Sequence, residues 1–342
     1  MNIKAVLDLL KETVAEWSKD KVSRLAAALA YYTVFSLAPL LIIVIAIAGS
    51  IFGEEAARGE IVGQIQGLVG KDGAQFIETA IENANKPSTG TIASTISIVV
   101  LLFGASGVFA ELQDALNTVW EVQAKPERGI INVIRTRFLS FTVVLGVGFL
   151  LLVSLVFSAI LAGAINFFGN ALPGIALLWQ LANFVISFII TTVVFGLIYK
   201  ILPDVKIAWS DVWIGAAITS VLFSIGRFLL GHYLGNSSFG SAYGAAGSLV
   251  VLLAWVYYAA QILLFGAEFT QVYARKYGSQ IVPARNAVSL TDKARAEQGM
   301  KRNDNNQAKQ PADNKPASPN FISRLFGRTQ SKRSQRRRNN RD

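Results

Sequence analysis

The sequence predicts an all-α, polytopic membrane protein with six transmembrane helices, and three observations predict it. Of the 342 residues, 52% are hydrophobic and 16% charged, where an average soluble domain carries about 25% charged residues. Six apolar stretches reach the length of about 20 residues that a helix needs to cross a hydrocarbon core. Lysine and arginine collect in alternate connections, as the orientation of membrane helices requires. Around a transmembrane domain at 24–277 the same reading places an amphipathic N-terminal helix at 1–23, a short helical outer loop at about 53–90, and a disordered basic cytoplasmic tail at 278–342.

The N-terminal segment "MNIKAVLDLLKETVAEWSKDK" spaces Ile3, Val6, Leu10, Val14 and Trp17 three and four residues apart. That periodicity predicts a helix lying on the inner membrane surface. Its scattered charges and lack of a continuous apolar core are unlike a cleavable leader. The six spans run from Leu25 to Phe52, Ile92 to Ala110, Phe138 to Phe168, Ile175 to Tyr199, Val212 to Leu234 and Tyr243 to Ala267. In the first, Pro39 removes a backbone donor and predicts a kink or break. Between the first two spans, Ile61, Ile65 and Leu68, then Phe76, Ile77, Ala80 and Ile81, predict two short helices outside.

Loop charge sets the orientation. Lys4, Lys11, Lys19, Lys21 and Arg24 precede the first span; Lys125, Arg128, Arg135 and Arg137 lie between the second and third; Lys200 and Lys206 lie between the fourth and fifth. On the opposite side "GAINFFGNALPG" and "GNSSFGSAY" carry no Lys or Arg, and the long first connection has Arg58, Lys71 and Lys86 against six acids. Both termini are therefore expected in the cytoplasm.

The net charge of +10 belongs to the tail. From Arg275 onward lie 17 of the 32 Lys/Arg and 5 of the 22 Asp/Glu, which leaves 15 basic and 17 acidic residues in the first 274. Nucleic acid is thus not an expected partner of the core. The stretch "RNDNNQAKQPADNKPASPN" is too poor in apolar side chains to bury a core of its own. Beyond it Phe321, Ile322, Leu325 and Phe326 stand beside a dense basic run, which suits either attachment to anionic lipid or a solvated tail.

With no cysteine and a single histidine, His232, disulfides, thiolate nucleophiles and a His-rich metal site are excluded. No phosphate loop and no HExxH motif occurs, so no enzyme, metal or cofactor is expected. The chemistry that remains is polar groups at membrane depth. Tyr31, Tyr32 and Ser36 bring hydroxyls into the first span. Glu111 and Asp114 end the second, three residues apart on one helical face. Glu268 sits at the same level in the last span, with Gln261 seven residues earlier on the same face. These seven residues form a candidate polar path for an unidentified substrate, and the alternative is a set of structural ion pairs. Arg24 is the candidate partner of Glu268 or Glu111, and Arg227, deeper and toward the outside, either snorkels or adds a cationic spot.

Three blocks carry a resemblance: "AAALAYYTVFSLAPLLIIVIAIAG", "GASGVFAELQDALNTVW" and "SAYGAAGSLVVLLAWVYYAAQILLFGAEFTQVYA". Over roughly Lys21 to Tyr277 the chain resembles the YihY/BrkB family of bacterial inner-membrane proteins. The resemblance implies six helices with both ends cytoplasmic. It also brings a historical ribonuclease BN label, which these residues give no chemical reason to accept, a supposed transport role, and a link of one branch to virulence and serum resistance. Three functions follow as expectations: a transporter or lipid- or solute-translocating protein, alone or as a homo-oligomer; a non-transporting scaffold acting through its basic tail; and a membrane-associated ribonuclease.

Overall fold

A backbone among lipid tails has no water to bond to, so its apolar runs close their hydrogen bonds internally as helices. The computed structural model, which describes residues 3–84, 91–125, 175–235, 247–278 and 281–300, shows that outcome. In chain order the elements are α1 (Ile3–Lys19), α2 (Val22–Phe52), α3 (Glu54–Ala84), α4 (Thr91–Val119), β1 (Val122–Ala124), α5 (Ile175–Ile201), β2 (Val205–Lys206), α6 (Trp209–Gly235), α7 (Gly247–Tyr277), β3 (Val282–Pro283), β4 (Ala287–Ser289) and α8 (Asp292–Glu297).

Among the described residues, four stretches are long and apolar enough to cross a membrane: Val22–Ser50, Phe184–Ile201, Trp209–Leu229 and Gly247–Tyr277. They fall on the first, fourth, fifth and sixth expected spans. The expected second span lies within α4, and the third, Phe138–Phe168, lies outside the described residues. Exposed Phe184, Ile189 and Phe228 show the apolar outer face that lipid would cover.

Helix α7 is central and packs against α1, α2, α3, α4 and α6. At one end of the bundle α3 crosses over α2 and α7, burying Ile77 and Ile81 against Leu41, Ile45, Leu252 and Val256. It is two helices, as the periodicity predicts, divided at Gly70, where φ is +80°. Such a left-handed step is open to glycine without a steric penalty.

At the other end α1 lies across α7. Leu9 is buried with Phe269 and Val272, and Arg275 reaches Glu12 at 2.5 Å and Glu16 at 3.2 Å. Lys276 pairs with Glu12 as well. Val6, Leu7, Leu10 and Val14 stay exposed on α1, the face that a surface-lying helix offers to lipid.

Residues 281–300 correct one expectation. They carry regular structure where a disordered tail is expected, adding short strands to a fold that is otherwise helical. The β1 strand pairs antiparallel with β4, and β2 with β3. Asp204, beside β2, is buried and accepts hydrogen bonds from Gln113 Nε2 at 3.2 Å, Asn117 Nδ2 at 3.1 Å and Asn286 Nδ2 at 2.7 Å. Its own backbone N–H donates to Asn117 Oδ1 at 2.7 Å. Arg295 of α8, fully buried, pairs with Asp20 in the α1–α2 turn and with Glu121 at 3.4 Å. This segment orders through polar partners supplied by the helix ends, which its own composition does not reveal. The described structure thus extends to Met300 rather than Tyr277, and the rest of the basic tail lies outside the described residues.

Two outcomes are expected. Truncation after Tyr277 should destabilise the protein by about 3–5 kcal/mol by leaving buried charges unpaired, relative to truncation after Met300, as read by thermal unfolding in detergent. Acid should release α1. Burial pushes the Glu12 carboxyl up, but hydrogen bonds from Lys276 and Arg275 outweigh it and hold the group below its ordinary 4.5. Glu16 is held low in the same way by Lys19 and Arg275. Carboxyls lowered on folding stabilise the docked helix above the ordinary glutamate value and lose that contribution as pH falls below it. Amide hydrogen exchange along α1 should therefore speed up on acidification through that range and stay slow at neutral pH.

Candidate functional site

The seven polar residues of the expected path occupy four separate places. Four of them share a groove where α2 and α4 run antiparallel. Gly104 lets α4 approach the Pro39 ring, with 3.3 Å between a Cβ built there and Pro39 Cγ, and Gly107 likewise faces Ser36 Oγ at 3.2 Å. Pro39 does not break α2, which continues through it to Phe52; the expected break is replaced by a ring seated on a glycine. Below that contact a groove of about 470 Å³ is lined by Tyr32, Phe35, Ser36, Phe103, Glu111 and Asp114, among others. Tyr31 stands outside it, exposed, its ring 4.7 Å from that of Phe35 and 5.7 Å from that of Tyr32. Neither Glu111 nor Asp114 has an ion-pair partner among the described residues.

Gln261 is elsewhere. It accepts a hydrogen bond from Trp17 Nε1 at 3.2 Å and donates to the Tyr257 hydroxyl at 2.7 Å, in a largely apolar cleft of about 560 Å³ between α1, α6 and α7. The seven-residue spacing that aligned it with Glu268 was blind to α1, which covers Gln261.

Glu268 is enclosed. It is 1% exposed, and neither carboxylate oxygen has a hydrogen-bond partner; Gln271 Oε1 and Trp120 Nε1 are also buried without one. Arg24 does not reach it, because its guanidinium donates to the Gln298 carbonyl at 2.6 Å in the folded return segment. Arg227 is exposed on α6, so it does not enter a path among the described residues.

Glu268 is held in place by an interlock that the sequence reading missed. "GAAIT" (215–219) on α6 and "GAEFT" (266–270) on α7 share one spacing. Thr270 seats against Gly215, and Thr219 against Gly266. Each threonine hydroxyl also donates to the carbonyl of the glycine four residues before it, at 2.7 Å for Thr219 and 2.6 Å for Thr270. From α5 the buried Tyr199 hydroxyl donates to the Leu263 carbonyl at 2.7 Å and lies 3.0 Å from Thr219 Oγ1. Small residues let the backbones meet, and the hydroxyls remain satisfied where lipid offers no donor. The repeated Gly-Ala-x-x-Thr was the available signal. Gly215→Leu should overpack the interface and lose about 1–3 kcal/mol of stability, measured by thermal unfolding, whereas Thr191→Val on the exposed side of α5 should change little.

Comparison with known proteins agrees with the architecture. The family model described as Virulence factor BrkB matches residues 13–291. A UPF0761 membrane protein of Psychrobacter sp. (strain PRwf-1) is 26% identical over 289 residues, 83% of this chain and 52% of that protein. A UPF0761 membrane protein of Teredinibacter turnerae is 25% identical, over 81% of this chain and 63% of its own length. One from Photobacterium profundum is 27% identical, over 77% of this chain and 82% of its own. The chain thus spans about half of the first of these relatives and under two thirds of the second. No solved structure matches it. The match over most of the chain, on a bundle of long apolar helices, makes this a multi-pass membrane protein that belongs to the virulence factor BrkB family.

Proposed function

We propose that the protein is a transporter, moving a solute or a lipid across the bacterial inner membrane, and that the α2–α4 groove is where its path begins. The observation that carries this reading is the pair Glu111 and Asp114, two carboxylates at a groove with no cation to neutralise them among the described residues. Ionisable groups at membrane depth are retained where they meet a pathway or a ligand. Two carboxylates beside aromatic Tyr32 and Phe35 favour a cationic or amine-bearing substrate, since a ring face and a carboxylate both attract such a group.

Six crossings, with both termini cytoplasmic, are part of the same proposal. Helix α2 leaves the α1 end of the bundle and α7 returns to it. Both α4 and α5 also finish at that end, where Asn117 and Asp204 meet. The alternation of loop charge supports this count.

The test is flux in proteoliposomes, with a panel of amine-bearing solutes and fluorescent amine-headgroup lipids. Glu111→Gln combined with Asp114→Asn should lower transport of the accepted compound by about tenfold or more, while Gln261→Leu should retain it. Equal flux in the double variant and the wild type would remove the groove from the path.

A further inference from the structure

Glu268 lies outside the groove, and its surroundings pose a problem of charge. An ionised carboxylate taken out of water is destabilised by several kcal/mol unless donors or a cation compensate. Glu268 is 1% exposed and receives no hydrogen bond. Four charged groups bear on it electrostatically: Glu16 from α1, Asp20 from the α1–α2 turn, Glu121 after α4, and Arg295 from α8. Three are acids. The single guanidinium is already bound to Asp20 and Glu121, and Glu16 is held by Lys19 and Arg275. Apolar Val22 and Ala26 of α2 join the core that includes Leu264 and Ala267 of α7. Among the described residues Arg295 is the one cation that bears on Glu268, and with two acids already bound it does not supply the full positive charge that an ionised carboxylate there would need.

A proton supplies it. A bare metal cation would need several converging oxygens, and among the described residues no group of three or more His, Cys, Asp or Glu gathers to hold one. We propose that Glu268 is a proton-binding site, occupied in this conformation, and that the bound proton is the ion coupled to transport. The coupling rests on the transport reading above, whereas the binding does not. The step is a simple transfer: a proton from water bonds to one Glu268 carboxylate oxygen, and on release it returns to water with no other bond broken.

Access is gated by named contacts. On one side the threonines of the α6–α7 interlock are seated against glycine backbone. On the other, Arg295 ties Asp20 to Glu121, and α1 lies across α7. Only the second side is built of separable ion pairs, so the proton exchanges with water at the α1 end when that cap lifts.

The experiment is infrared difference spectroscopy of the full chain reconstituted in phosphatidylethanolamine/phosphatidylglycerol vesicles, recorded as pH is stepped. The wild type should show a carboxylic C=O band that titrates, shifts when glutamate but not aspartate is isotope-labelled, disappears in Glu268→Gln, and persists in Glu111→Gln. Absence of a titrating glutamate band in the wild type, or its persistence in Glu268→Gln, overturns the proposal. Should Glu268→Gln not fold, Arg295→Gln decides: opening the cap should speed deuterium exchange of the labelled band roughly tenfold, and an unchanged rate overturns the gated site. A band that behaves as expected in a protein without flux leaves the proton site standing and removes the transport reading alone.

Discussion

The end of the bundle that carries α1 depends on one carboxylate. Asp204 is sealed from water, and a buried carboxylate must find donors or leave its charge uncompensated. It finds three amide groups and anchors a fourth contact through its own backbone, on partners 82 to 91 residues away in sequence. Those partners belong to α4 and to the segment after α7, so the carboxylate is satisfied only when the end of α4, the α5–α6 turn and the return segment all converge. Around that point the two small strand pairs form, and the return segment then carries Arg295 to Asp20 and Glu121. The floor beneath the helices is a set of polar bonds, while the helices themselves are fixed by lipid and by apolar packing.

That division explains how much was legible in the sequence. The spans were visible because the bilayer imposes a length and a composition, which single residues seldom disguise. The amphipathic α1 and the division of α3 were visible because periodicity and glycine are local signals. Polar partnerships were not, because they depend on how each helix is rotated and on what covers it. Gln261 and Glu268 do share a face, yet α1 turns one into a hydrogen-bonded rim residue and encloses the other. Arg24 had two candidate acids, Glu268 and Glu111, and instead donates to a backbone carbonyl on a segment expected to be unstructured. That segment looked unfoldable because its ordering draws on Asn286 and Arg295, polar residues that a composition argument counts against folding.

For function, the acids are of two kinds. Glu111 and Asp114 line an open groove, and Glu268 is walled in. An open acid can meet a ligand that diffuses along the membrane; an enclosed one can meet only what the protein admits. A protein that transports needs both kinds of site, one for cargo and one for the ion or conformational change that gives movement a direction. The family match identifies the kind of molecule, and this separation of acids supplies the chemistry on which the proposed function rests.

The keyed threonines of α6 and α7 carry a mechanical consequence. A hydroxyl methyl group lodged against a glycine backbone on each helix acts as a pair of pegs: sliding either helix along the other, or rolling it, drives a side chain into main chain. The two helices can therefore travel only as one body, with Tyr199 bringing α5 along. Among the described residues, rearrangement of this bundle falls to seams such as that of α2 with α4, where a proline ring rests on a glycine.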